Sequence, residues 1–382
     1  MADRVAIVAA AKTGFSPSRS DANYSELAYE VIEKVLTETG LTIGDDIDNS
    51  ISCSHDIWDG QTISNIGITD VIGGHLRNEE KMAMDGSTAV YYGTIAILSG
   101  EYNLTLLLAH TKMSQTNRNI VNNDAFEPIF SRKLGLDYTS AGALQATRYM
   151  HVHGIQRDQV AKVAVKNLGN ASRNETAHNF GFYSVEEIIE SPVLATPITE
   201  MEMAPDTDGA VAMILASEKA AKKITSNPVW VNGIGTSYDT HYLGDWELAK
   251  CRALEQATGR AYAMAGIKDP VKDVDVFEVG EEFAHQELMW YEGLGLCEAG
   301  KGGELIDSGR TLFEGDIPVN PSGGLLGGVP ANVAGLHSVA EAFLQLRSEA
   351  GRRQVKDAKV AVVQGQSGHC GQHHCVIVLG RD

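Results

Sequence analysis

Near the C-terminal end of the chain, the run Gln366-Ser367-Gly368-His369-Cys370-Gly371-Gln372-His373-His374-Cys375 sets imidazoles and thiols close together. A cysteine beside a histidine is the pairing that yields a thiolate nucleophile, and a histidine can move a proton near neutral pH. His369 and Cys370 are therefore candidates for acid, base or nucleophile, with packed loop residues as the alternative reading. Zinc favours the same side chains. All five potential ligands crowd into seven positions that run on into the apolar strand VIVLG, however, and alternate side chains of a strand point apart. No metal site is expected.

Other candidates lie further apart. His55, in SCSHDIWDG, follows an apolar strand, and loops at strand ends are where function concentrates; a surface loop histidine is the alternative. Tyr138, in LGLDYTSAG, stands at the start of a helical run. A phenol moves a proton if its surroundings tune it, although most tyrosines only pack. Glu281 and Glu282, in EVGEEFAHQEL, are adjacent carboxylates at a strand-to-helix junction. In a cleft one of such a pair takes a raised pKa suited to general acid or base work; otherwise they are first-turn helix carboxylates. Asp85 precedes a helix, where a carboxylate is an ordinary cap.

The elements that must position these residues occur in two copies. In the first half RVAIVAAA leads to the helical run YSELAYEVIEKVLTETG and then to IDNSISC; in the second, VWVNGIGTSY leads to ALEQATGRAYAMAG and then to VDVFEV. Each helix ends at a glycine, Gly40 or Gly266, the expected left-handed cap. Gly-rich turns then open small-residue helices, GSTAVYYGTIAILSG and GGVPANVAGLHSVAEAFLQL, each followed by an apolar strand, LTLLLAH or KVAVVQG. Strands alternating with helices, twice over, predict mixed α/β layers with helices covering central sheets. The halves are placed at 1–227, including a more polar loop region at about 111–227, and 228–382. The glycines of PVNPSGGLLGGVPANVAG, from Pro318 to Gly335, let backbone approach backbone and suit a buried active-site loop.

The chain has 382 residues, 43% hydrophobic, with a formal net charge of -19 and five cysteines, Cys53, Cys251, Cys297, Cys370 and Cys375. The charge disfavours nucleic acid, whose phosphates it would repel. No apolar run of membrane-spanning length occurs, and MADRVAIVAAAKTGF carries no basic leader. Few cysteines, odd in number, argue against a secreted disulfide framework. A cytoplasmic protein with reduced thiols is expected.

Several of these blocks together resemble the thiolase superfamily, in particular the branch of the sterol-carrier-protein thiolases and their bacterial thiolase-like relatives. PVNPSGGLLGGVPANVAG resembles its late glycine loop, NLGNASRN its Asn-Ala-x-x-Asn turn, and Asp208-Gly209-Ala210 its entry into a buried strand. The resemblance implies a duplicated α/β thiolase fold, a five-layered αβαβα sandwich. It also implies loops carrying a nucleophilic cysteine, an Asn or His, the histidine of Gly-His-Pro and a final Cys or His. Here Ala83 takes the nucleophile's place ahead of Gly86-Ser87-Thr88-Ala89, Gly280 replaces the Asn or His, and Gly328-Val329-Pro330 replaces Gly-His-Pro. Ala83, Asp85, Gly280, Gly324 and Val329 are then expected to line a substrate site. His55 and Tyr138 match positions that carry histidine in some relatives.

An alanine cannot form an acyl-enzyme, so three functions stay open. One is carbon-carbon bond chemistry on a CoA thioester without the cysteine, a retro-aldol cleavage of a β-hydroxyacyl-CoA using His55, Tyr138, Glu281 or His369. The second is acyl transfer on a β-ketoacyl-CoA with Cys370 as relocated nucleophile. The third is a non-catalytic structural subunit. No tightly bound cofactor is expected, coenzyme A entering as part of the substrate. The resemblance further implies a homodimer through helix 86–100 and a small OB-fold, zinc-ribbon accessory subunit.

Overall fold

The computed structural model describes residues 4–382; residues 1–3, part of the segment read as free of a leader, lie outside the described residues. Its strands are β1 (Val5–Lys12), β2 (Asn49–Cys53), β3 (Asn78–Met82), β4 (Leu104–Lys112), the short hairpin β5 (Val193–Ala195) and β6 (Ile198–Thr199), then β7 (Asp208–Ser217), β8 (Val229–Tyr238), β9 (Val276–Val279), β10 (Val360–Ser367) and β11 (His373–Gly380). Apart from the hairpin they form one nine-stranded sheet in the order β3-β2-β4-β7-β1-β8-β11-β10-β9. The order is two copies of one plan meeting at a seam. Outward from the seam, β1 pairs antiparallel with β7, β7 antiparallel with β4, and β4 parallel with β2. In the other copy β8 pairs antiparallel with β11, β11 antiparallel with β10, and β10 parallel with β9. The copies join where Val5, Ala6 and Ile7 pair with Val231, Trp230 and Val229.

Strand alternation separates the layers. On β1, β4 and β7 the side chains of Ile7, Leu107, Met213 and Leu215 enter a core that they share with Val363, Ile377 and the helices Ser87–Leu98 and Ala334–Arg347. Their neighbours Ala6, Val8, Leu106, Leu108 and Ile214 face the opposite way, against Leu27, Val31 and Val35 of the outer helix Tyr24–Thr39. Val362, Val376 and Val378 of the second copy face a third core beneath the helices Arg157–Ala171, Arg252–Ala265 and Ala284–Gly293. Helix, one half of the sheet, central helices, the other half of the sheet, helix make the five layers. Gly40 and Gly266 close their helices at φ +69° and +75°, as the sequence predicts. The more polar region at about 111–227 holds the helices Tyr138–His153 and Arg157–Ala171 and, entered through Asp208-Gly209-Ala210, the fully buried strand β7. None of the described helices is long and apolar enough to cross a membrane.

Candidate active site

The central helices begin side by side, and one carboxylate ties their starts together. Asp85 accepts hydrogen bonds from the Ser87 amide at 3.0 Å and from the Gly335 amide at 2.7 Å, so it caps both helix Ser87–Leu98 and helix Ala334–Arg347. Its own amide donates to Ser367 Oγ at 2.8 Å, adding the end of β10 to the knot. Space there is tight: a Cβ on Gly335 or Gly365 would fall within 1.9 or 2.1 Å of Asp85 Oδ1. Burial pushes the Asp85 carboxyl up, while the Ser87, Gly335 and Gly86 donors hold it down. The capping role read from the sequence is what the geometry shows.

Beside this knot lies a cavity of about 180 Å³ walled by several loops. Of the residues singled out in the sequence, His55, Ala83, Asp85, Tyr138, Gly280, Glu282, Val329 and His369 line it. Its chemical centre is Tyr138 with Glu282. Tyr138 opens the helix Tyr138–His153, which Asp137 caps by accepting from the Ser140 amide at 2.7 Å, and the Tyr138 hydroxyl donates to Glu282 Oε2. Glu282 is itself held at both ends of its peptide: its amide donates to Gln286 Oε1 at 3.0 Å and its carbonyl accepts from the Ala204 amide at 2.9 Å. Burial lifts the Glu282 carboxyl, and the Tyr138 hydroxyl and the Arg118 guanidinium pull it back. The Tyr138 phenol is raised well above its ordinary value by burial and by the adjacent Glu282 carboxylate.

Arg118 completes the pair from a segment the sequence offered no reason to choose. Its Nη1 donates to the Ala204 carbonyl at 2.8 Å, its Nε meets Asp206 at 2.7 Å, and its guanidinium stands 5.7 Å from the Tyr138 ring centre. His369 lies flat on Phe126, ring centres 3.5 Å apart, and 6.2 Å from the Tyr138 ring. Burial lowers its pKa to about 4, against an opposing pull from the Asn122 backbone, so it is neutral at pH 7. Gln366 bridges Gly280 O at 2.8 Å and Gln286 Oε1 at 2.9 Å, fixing the loop that carries Glu282. His55 caps the short helix Asp56–Asp59 through Nδ1, which accepts from the Ile57 amide at 3.2 Å, and burial lowers its pKa.

Three candidates stand apart from the cavity wall. Glu281 turns under the glycine loop, where its carboxylate accepts from Asn167, Asn320 and the Leu326 amide. Gly324 faces that carboxylate, and a Cβ there would sit 2.2 Å from Glu281 Oε1. Cys370 adopts φ +57°, which swings its thiol against the Ala141 carbonyl at 3.3 Å, among Phe126, Leu243 and Trp246. Burial and the Glu282 carboxylate raise its pKa, the opposite of what a thiolate nucleophile needs. Among the described residues no cysteine lines the cavity. Glu282 was singled out in the sequence beside Glu281; Arg118 and the part played by Gln366 were not, because nothing local marks them.

Outside the cavity, and sharing Arg118 with it, runs an open groove of about 780 Å³ lined by Asn117, Asn119, Asn179, Leu194 and Met203 among others. A buried phenol and carboxylate at the wall of a cavity, with a polar groove alongside, can take a proton from a substrate held at the junction.

A duplicated α/β sandwich with its site where the two central helices begin is the architecture of thiolases, and the sequence agrees. Residues 5–219 match the model for the thiolase N-terminal domain and residues 235–381 that for the thiolase C-terminal domain-like family. The chain belongs to the thiolase family, in its sterol-carrier-protein-2-thiolase-like branch. It is 32% identical over 295 residues, 76% of each chain, to the acetyl-CoA acetyltransferase of Methanothermobacter thermautotrophicus. It is 29% identical to the sterol carrier protein 2 of Oryctolagus cuniculus, covering 94% of this chain and 69% of that one. The solved structure of an Ltp2-ChsH2(DUF35) aldolase superposes with a TM-score of 0.85 over 99% of this chain and 98% of that chain, at 21% identity, and shares the fold.

Proposed function

We propose that this chain is the thiolase-like subunit of an enzyme that breaks or makes a carbon-carbon bond in a CoA thioester without an acyl-enzyme, by retro-aldol cleavage of a β-hydroxyacyl-CoA. The observation that carries the reading is the Tyr138–Glu282 pair in a cavity where Ala83 and Val329 stand at the positions to which the family resemblance assigns the nucleophilic thiol and the Gly-His-Pro imidazole. The β-hydroxyl gives its proton to the Tyr138–Glu282 pair as the Cα–Cβ bond breaks. The bonding electrons pass to the thioester as an enolate, and the other fragment leaves as an aldehyde or ketone. A proton returned to Cα then yields the shorter acyl-CoA, so the reaction needs no oxidant, metal or free CoA. The outer groove suits the amide-bearing arm of coenzyme A, with Arg118 at the point where groove and cavity meet. The second reading, acyl transfer by Cys370, loses support because that thiol faces Ala141.

The groove is poor in cations for a ligand with several phosphates, which favours a partner chain that supplies them. The Ltp2-ChsH2(DUF35) aldolase, as its double name says, joins two proteins, and a small OB-fold, zinc-ribbon subunit is proposed here as the second chain. A homodimer through the helix within residues 86–100 is supported by Tyr92 and Ile95, exposed by 41% and 42%. Five unpaired cysteines support a cytoplasmic setting.

The test is to co-express the chain with the small subunit and follow β-hydroxyacyl-CoA and β-ketoacyl-CoA esters by mass spectrometry. Cleavage of a hydroxyacyl ester in the absence of free CoA is expected. Cleavage only of ketoacyl esters, and only with added CoA, would replace this proposal with acyl transfer; a stable complex inert to every ester would point to a structural subunit.

A further inference from the structure

Glu281 and Glu287 form a buried carboxylate pair directly beneath the glycine loop, outside the chemistry just described. Both are fully buried, and both are bridged twice. Asn167 Nδ2 donates to Glu281 Oε1 at 2.9 Å and to Glu287 Oε2 at 2.7 Å, and Asn320 Nδ2 donates to their Oε2 atoms at 2.9 and 2.8 Å. Glu287 is anchored in turn by Lys166 Nζ at 2.8 Å and by the Tyr291 hydroxyl. Glu281 has one further contact of a different kind: its Oε1 accepts from the Leu326 amide at 3.2 Å, inside the loop itself.

That loop begins at Asn320, held at φ +52° with its Oδ1 accepting from the Val279 amide at 2.8 Å, and passes through Gly323 and Gly324, also at positive φ. Leu325 and Val329, on either side of the fastened Leu326, are cavity wall. The loop's glycines leave its path open to many conformations, so its position depends on what grips it. We propose that Glu281 is a positioning residue: by clamping the loop between Asn320 and Leu326 it places Leu325 and Val329, and so sets the length of acyl chain the cavity accepts.

The inference rests on the CoA-thioester reading of the cavity. Glu281→Gln conserves the shape and leaves a carbonyl for Leu326 and Asn167. It opposes the Asn320 amide with a second amide, and Asn320 cannot flip because Val279 holds its oxygen. The assay is binding, not turnover: dissociation constants for unreactive S-alkyl-CoA thioethers from ethyl to octyl, measured calorimetrically on the purified complex. Each methylene newly admitted or excluded is worth about fourfold in affinity, from roughly 0.8 kcal/mol per buried CH₂. Glu281→Gln is expected to change the ratio of octyl to ethyl affinity by at least that factor, with the ethyl value near wild type. Glu281→Asp, which keeps the carboxyl group but draws it back from Leu326, is expected to move the ratio the same way and serves if the first variant does not fold. A ratio equal to wild type in a folded variant would overturn the inference while leaving the reading of the site intact. Failure of the wild-type complex to bind any thioether would overturn that reading, and this inference with it.

Discussion

Replacing Glu282 by glutamine separates its chemistry from its structural part, because the two side chains share a shape. The Tyr138 hydroxyl can still donate to the new carbonyl, so a charge-assisted hydrogen bond of about 1.5–3 kcal/mol is exchanged for a neutral one of about 0.5–1.5 kcal/mol, and the cost of burying a charge disappears. The unfolding midpoint is expected to stay within about 4 °C of wild type. The catalytic loss is that of a general base, about 10²–10⁴-fold in kcat/KM for a β-hydroxyacyl-CoA. The pH profile gives a second readout. The base must be ionised, so activity rises with pH through the Glu282 pKa, which burial places above the usual carboxylate range. Tyr138→Phe removes the hydrogen bond that favours the anion and is expected to move this acid limb to higher pH. Stability runs the other way. The folded carboxyl holds its proton more tightly than the unfolded one, so what Glu282 contributes is greatest below the unfolded pKa and declines as pH rises through the folded pKa. Steady-state rates from pH 4 to 9 on both variants test this. Glu282→Gln within about threefold of wild type, well short of the loss of a general base, or a Tyr138→Phe limb displaced to lower pH, would refute the assignment.

Asp85→Ala leaves the Ser87 and Gly335 amides without their acceptor at the heart of the molecule. At about 1–3 kcal/mol for each buried orphan, urea unfolding should show a loss of roughly 2–6 kcal/mol, and an unchanged midpoint would contradict the double cap. Cys370→Ala is expected to keep kcat/KM within about twofold, since the thiol touches the Ala141 carbonyl and no cavity surface; abolished turnover would restore the relocated nucleophile. Gly328→Ala forces an L-residue to φ +89° and brings its Cβ 2.4 Å from His178 Nε2, so a loss of at least about 2 kcal/mol is expected from the backbone and overpacking together, measured by the same urea series.

The duplicated plan was legible before any coordinates because it is written locally. Alternation in RVAIVAAA and LTLLLAH, the glycine caps at Gly40 and Gly266 and the small-residue helices depend on near neighbours along the chain, and all of them reappear as strands, caps and central helices. The place of Ala83, Gly280 and Val329 at the cavity could be read in the same way, because fixed motifs surround them. Which side of a loop a residue faces could not. Glu281 and Glu282 are neighbours of one chemical type, yet one grips the glycine loop and the other meets Tyr138, a choice made by Asn167, Asn320 and the start of a helix more than a hundred residues away. Cys370 was attractive beside His369 until a left-handed backbone turned its sulfur into the core. Arg118 comes from a stretch with no periodicity or motif, and it acquires a role only where the chain folds back on Ala204 and Tyr138. Hydrophobic pattern and capping are short-range and survive in one dimension; the facing of a polar side chain is decided by partners distant in sequence, and the fold alone brings them together.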